Sequence, residues 1–122
     1  MNPGPWVVDD YRTPAGGRPV KEFLDRLSKS ARPKVYAVLA MLEVHGNRLT
    51  MPKSKPIGSR LYELRIAHPE GPFRILYCFR PGRRVILLHA FVKRTEQTPH
   101  GAMEIARERQ RALDQEEEKE KG

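Results

Sequence analysis

Two arginines stand where a β-strand would ordinarily carry an apolar residue. Arg65 is flanked by Leu64 and Ile66, and Arg74 by Phe73 and Ile75. Sheet packing would rather give such a position to an apolar or β-branched side chain. Guanidinium is a rigid fork of donors, so two of them on adjacent strands can form a clamp for a phosphate group. The competing reading is structural. Each arginine then pairs with Glu63 or Glu70, or covers the solvent face with its aliphatic stem. Residue spacing leaves both open, because it does not set the register of the hairpin.

Other chemistry is scarce. His45, His68, His89 and His100 are scattered, with no pair at i,i+4 and no acidic cluster, so no metal site is expected. His45 beside a helix end reads as a local cap, and His68 belongs to a turn. His89 lies in the most apolar strand. A buried neutral imidazole is its default role, and proton transfer is the functional alternative. Cys78, the single cysteine, reads as a small buried hydrophobe and fits a reducing cytoplasm. There is no Gly-rich phosphate loop, dinucleotide fingerprint or nucleophile elbow, so no cofactor is expected. Acid–base chemistry by Lys, Arg, His and Tyr remains. RNA cleavage suits that inventory, because the 2′-hydroxyl is a nucleophile already next to the phosphate. DNA lacks it and should be spared.

The charge distribution points the same way. The 122 residues carry a net +8, which favours anionic partners. From Arg48 to Arg94 there are eleven Lys and Arg against two acids, whereas the stretch after Leu113 has five acids against two lysines. The positive charge therefore belongs to the sheet and to the segment before it. Lys53, Lys55, Arg83 and Arg94 are candidate RNA contacts, and Tyr62 is the aromatic residue best suited to stack on a base. Met1 to Pro5 has neither the basic start nor the apolar stretch of a signal peptide. No apolar run approaches the roughly 18 residues that cross a bilayer, so a cytoplasmic location without membrane contact is expected.

These residues must be positioned by one domain, since the length leaves little room for two. Trp6-Val7-Val8 reads as a first strand extending toward Tyr11. Pro19 opens a helix in which Val20, Phe23, Leu24 and Leu27 recur at helical spacing. Ser30 is the expected cap of a second helix striped by Val35, Val38, Leu39 and Leu42 and closed by Gly46. The short link implies a helical hairpin. The polar stretch from Asn47 to Ser59, broken by Pro52, Pro56 and Gly58, reads as a loop. Leu61 to Ala67, Phe73 to Phe79 and Val85 to Phe91 form an antiparallel meander, the last strand lying centrally. Thr98-Pro99 caps a third helix that docks lightly through Ala102, Ile105, Ala106, Arg109 and Leu113. The expected domain is 1–113, followed by a charged, disordered tail at 114–122.

Three segments make this pattern familiar when taken in order. They are Leu61-Tyr62-Glu63-Leu64-Arg65, Phe73-Arg74-Ile75-Leu76-Tyr77, and Leu87 through Lys93-Arg94 to Thr98-Pro99. With Glu104-Ile105-Ala106 and the opening Tyr11-Arg12-Thr13-Pro14, they resemble the RelE/HigB toxin superfamily, most like its phage-derived HigB-like branch. The resemblance spans roughly residues 6 to 113. It implies an α+β, RelE-like (microbial-ribonuclease-like) fold: a mixed sheet with an antiparallel meander, an N-terminal helical hairpin and a C-terminal helix. It implies the toxin of a type II toxin–antitoxin pair, a metal-independent endonuclease of ribosome-associated mRNA. Its implied partners are mRNA, the ribosome and a cognate antitoxin of the helix-turn-helix, HigA-like kind.

Carried over by motif, Arg65 and Arg74 match arginines that bind phosphate and stabilise transition-state charge. Lys93 matches a lysine that follows the last strand's Phe and serves as acid or charge stabiliser. Lys53 and Lys55 fit the basic segment before the meander. Arg94 replaces a second lysine of many relatives. The general base is not identified, because the Asp-Tyr-His arrangement of some HigB toxins is absent. The alternative function is a non-catalytic RNA- or protein-binding module, either a decayed toxin or a phage-derived regulator. Salt-dependent binding without strand scission distinguishes it.

Overall fold

Two-residue alternation along the strands divides the molecule into layers. The computed structural model describes residues 5–94 and 97–121. Met1 to Gly4, and Thr95 and Glu96 of the family-like motif, lie outside the described residues. The elements run β1 (Val7–Asp10), α1 (Pro19–Asp25), α2 (Ala31–His45), a 3-10 turn (Gly46–Arg48), β2 (Ser54–Gly58), β3 (Leu61–Ile66), β4 (Phe73–Arg80), β5 (Arg84–Val92) and α3 (His100–Lys121). The strands form one sheet in the order β1-β5-β4-β3-β2. β1 is parallel to β5, and every other pair is antiparallel. The α+β fold class, the helical hairpin and the meander are as expected.

One face of the sheet carries Leu64, Ile66, Ile75, Tyr77 and Leu87, which pack beneath Val20, Leu24, Val35 and Leu42 of the hairpin. The other face carries Leu61, Leu76, Cys78, Ile86 and Leu88 under Ala102 and Ala106 of α3. Both faces are covered, so β4 is apolar almost throughout and buried along nearly its whole length. Burial pushes the Cys78 thiol up to about 11, which leaves it an inert core residue.

Four expectations are corrected. The segment expected as a loop contains β2, which pairs with β3. Pro56 and Gly58 obscure it, but an edge strand tolerates both because one side makes no ladder bonds. Ser30 makes no side-chain cap; the Ser28 hydroxyl accepts the Ala31 N–H instead, at 3.0 Å. The third helix begins at His100, so Thr98 is not the residue next to its first turn, and its hydroxyl donates to Glu63. The acidic stretch after Leu113 continues α3 to Lys121 rather than fraying. Asp114 and Glu117 hold Arg80 from that stretch at 2.6 and 2.7 Å, which docks α3 by charge where its apolar face is thin.

Gly46 ends α2 with φ +51, and the Trp6 ring lies directly over it. A Cβ there would sit 2.0 Å from Trp6 Cε2. Gly46→Ala should therefore lower stability by roughly 2–3 kcal/mol, through overpacking and the left-handed backbone. Urea unfolding followed by Trp6 fluorescence checks this. An unchanged midpoint would mean that the ring moves aside freely.

Candidate functional site: a cation group around a buried carboxylate

The register of β3 and β4 sets Arg65 directly opposite Arg74. Like charges in that relation repel. The side chain two residues back on β3 relieves them. Glu63, on the same face, is 1% exposed, and its Oε1 lies 3.6 Å from Arg74 Nε, 4.0 Å from Arg65 Nε and 3.9 Å from Lys93 Nζ. Its Oε2 accepts the Thr98 hydroxyl at 2.5 Å. Arg74 and Lys93 are each 8% exposed, while the Arg65 side chain is 31% exposed.

The distances define the chemistry. At 3.6 to 4.0 Å these are ion pairs, not hydrogen bonds. Arg74 donates through Nη1 to the Phe73 carbonyl, but its buried Nε has no hydrogen-bond partner among the described residues. Three cations thus share one carboxylate, so the group carries a positive excess. Burial lowers the Arg74 pKa, with Glu63 opposing and Arg65 adding to the effect. Burial also lowers the Lys93 pKa; Glu63 opposes this, while Arg74, Arg65 and Lys55 reinforce it. A lysine lowered this way is a better proton donor than a free one.

Of the residues expected at the site, Arg65, Arg74 and Lys93 are brought together. Lys55 stands opposite Glu63 on β2, and its charge bears on Lys93. Lys53 abuts the group through its carbonyl, which accepts the Arg65 N–H at 2.8 Å. Arg94 is exposed beside Lys93. Two expected contacts are not brought in. Tyr62 points to the opposite face, stacked on Tyr77 with centroids 5.6 Å apart, where strand alternation must place it. Arg83 lies in the turn after β4, at the far end from Arg74.

His89 reaches the α3 face through a bulge. Leu76 pairs with His89 but Tyr77 with Leu87, so Leu88 is the extra residue. The ring is half-buried and stacks on Phe91 at 5.6 Å, not sealed in the core as its default role required. Burial lowers its pKa, and the Arg109 charge lowers it further. The competing structural reading named Glu63 as a partner of Arg65 and Arg74, and both pairs form; sequence reasoning missed that the same carboxylate also holds Lys93 and accepts the Thr98 hydroxyl. The available signal was an acid two residues before a mid-strand arginine. Among the described residues no group of three His, Cys, Asp or Glu could hold a metal ion. None of the described helices is long and apolar enough to cross a membrane.

The family described as phage-derived protein Gp49-like (DUF891) matches residues 22–111. The chain belongs to this family. The Gp49-like chain is also 35% identical over 110 residues to proteins named Probable endoribonuclease HigB1 from two Mycobacterium tuberculosis strains, CDC 1551 / Oshkosh and ATCC 25618 / H37Rv. These matches cover 88% of this chain and 83% of each relative, and they place it in the RelE/HigB-like superfamily. An archaeal RelE-RelB complex from Pyrococcus horikoshii OT3 contains a chain 16% identical to it, with a TM-score of 0.46, covering 72% of this chain and 94% of that one.

Glu63→Gln keeps the shape of the group but removes its negative charge. Two buried cations are then left uncompensated, so stability should fall by about 3 kcal/mol. The urea midpoint should drop at unchanged slope. An unchanged midpoint would show that water, not Glu63, balances the cations. His89 supplies a second test. Its pKa is lowered in the fold, so the unfolded chain takes up the proton more readily. The corresponding stability is complete above the unfolded value of about 6.5 and is lost as pH falls through the folded one. His89→Asn should flatten the fall of Tm between about pH 7 and 5. A persisting slope would assign the titration to another group.

Proposed function

We propose that this chain is the toxin of a type II toxin–antitoxin pair and cleaves mRNA, on the ribosome, without a metal ion. One observation carries the reading: three cations from β3, β4 and the end of β5 converge on a single buried carboxylate and leave a positive excess for a phosphate. The names of the Mycobacterium tuberculosis relatives support it. Its partners in this reading are the message, the ribosome and a HigA-like antitoxin, and its setting is the cytoplasm.

In the reaction the 2′-oxygen bonds to phosphorus as the bond to the 5′-oxygen breaks. A cyclic 2′,3′-phosphate and a 5′-hydroxyl result. Arg65 and Arg74 hold the non-bridging oxygens and stabilise the added charge. Lys93 gives a proton to the departing 5′-oxygen. His89, held neutral by its lowered pKa, accepts the 2′-proton. It sits two strands from Glu63, about 10 Å at 4.8 Å per strand, which a bound nucleotide can bridge.

A second reading, a binding module without catalysis, draws on the same contacts, because Glu63 already offsets part of the charge. Strand scission separates the two. Purified protein with ribosomes and message should produce new transcript ends in the presence of EDTA. Arg65→Ala, the least buried of the three changes, should slow this about 100-fold or more. Intact message with folded wild-type protein would leave only the binding module.

A further inference from the structure

The positive surface does not end at Glu63. At the opposite end of the sheet, where β4 turns into β5 and α2 stops, lies a concavity of about 450 Å³. Trp6, Val44, His45, Asn47, Arg48 and Arg83 line it, and no carboxylate is among its lining residues. Glu43, the acid next to Val44 in sequence, lines a different pocket, with Asp9 and Asp10. Among the described residues neither Arg48 nor Arg83 has an ion-pair partner.

Local structure builds this site rather than leaving two loose arginines. Gly46 reverses the chain so that His45 and Arg48 both reach the concavity, and Trp6 lies over Gly46 and against Phe79, with centroids 5.3 Å apart. Arg83 has φ +55, a region that an arginine rarely adopts and that Asn or Gly would occupy more easily. Its carbonyl accepts the Val7 N–H at 2.9 Å, which ties the turn to β1. The turn conformation holds Arg83 in place at the rim of the concavity, as positive φ also does at Ser59 and Arg60 in the turn before β3. Two guanidinium forks and an imidazole suit phosphate, and an indole edge with Val44 suits a base.

We propose that this concavity is a second, non-catalytic site for single-stranded RNA, which anchors the strand whose scissile phosphate lies at the Glu63 group. The inference rests on reading the chain as an RNA-acting protein. The strand from Arg74 to Arg80 separates the two sites by about 20 Å at 3.3 Å per residue. That is the rise of about six stacked nucleotides.

The test is fluorescence anisotropy with a labelled 2′-O-methyl oligouridylate of about twelve nucleotides, which binds but cannot be cut. In the double variant Arg48→Gln, Arg83→Asn the second change keeps a residue suited to positive φ. Affinity should fall about tenfold near 0.1 M salt, and the slope of log K against log salt should shrink by about 1.4, for two lost phosphate contacts. Thermal unfolding matching wild type shows that the fold is kept. With cleavable RNA, KM should rise and kcat stay. An unchanged salt slope overturns the anchor, as does a wild-type protein that binds no RNA. If the slope shrinks but no RNA is ever cut, the anchor stands and the cleavage reading falls.

Discussion

A carboxylate sealed away from water costs several kcal/mol unless cations surround it. Glu63 is where this chain meets that constraint. It lies at the centre of a site to which four segments contribute: Lys55 from β2, Arg65 from β3, Arg74 from β4, and Lys93 just past β5. Thr98 closes it from the residues leading into α3. Remove the carboxylate and the cations repel one another across adjacent strands. Remove the cations and the carboxylate cannot stay buried. The same balance gives the site its chemistry. One negative charge gathers three positive ones, which leaves the group a positive excess and Arg74 Nε without a hydrogen-bond partner among the described residues.

The sheet makes this possible by keeping its two faces distinct. The hairpin face holds the aromatic and aliphatic bulk of the core, including the stack of Tyr62 on Tyr77. The α3 face is apolar in the middle, over Leu76, Cys78 and Leu88, and ionic at both ends, with the Glu63 group at one and Arg80 between Asp114 and Glu117 at the other. Two-residue alternation assigns Glu63 and Arg65 to the first of these ends and denies it to Tyr62. The bulge at Leu88 is the exception, since it turns two successive residues toward α3 and so brings His89 to the Phe91 ring.

Helix α3 is held along its length. Ala102 and Ala106 are buried against the sheet with Met103, Ala112 and Leu113 beside them, and in the middle Arg109 donates to the Leu88 carbonyl at 2.6 Å and Gln110 to the Ser59 carbonyl at 3.0 Å. At one end Thr98 meets Glu63, and at the other Asp114 and Glu117 clasp Arg80. The acidic stretch therefore neutralises the far end of the α3 face. Arg48 and Arg83, round the end of the sheet, lie outside its reach and have no ion-pair partner among the described residues.

Much of this was legible in the residues. The helical stripes of Val35, Val38, Leu39 and Leu42 and the apolar runs of β4 and β5 are local patterns, each with one physical reading; the two mid-strand arginines stood out too, with a phosphate clamp and pairing with Glu63 both open. The edge strand β2 was not legible, because Pro56 and Gly58 read as breakers until a neighbouring strand is there to pair with. The acidic end of α3 read as a fraying tail for a similar reason: its partner, Arg80, is more than thirty residues away in sequence. Composition and periodicity thus settled the elements other than β2 and the end of α3, the sign of the net charge and the presence of the two arginines. Tertiary structure alone decided that Glu63 lies at the centre, that Lys93 joins it, that Tyr62 faces away and that Arg83 stands at the opposite end. Those are matters of register and of which face a side chain takes, and both are set by contacts between strands rather than by any residue's own neighbours.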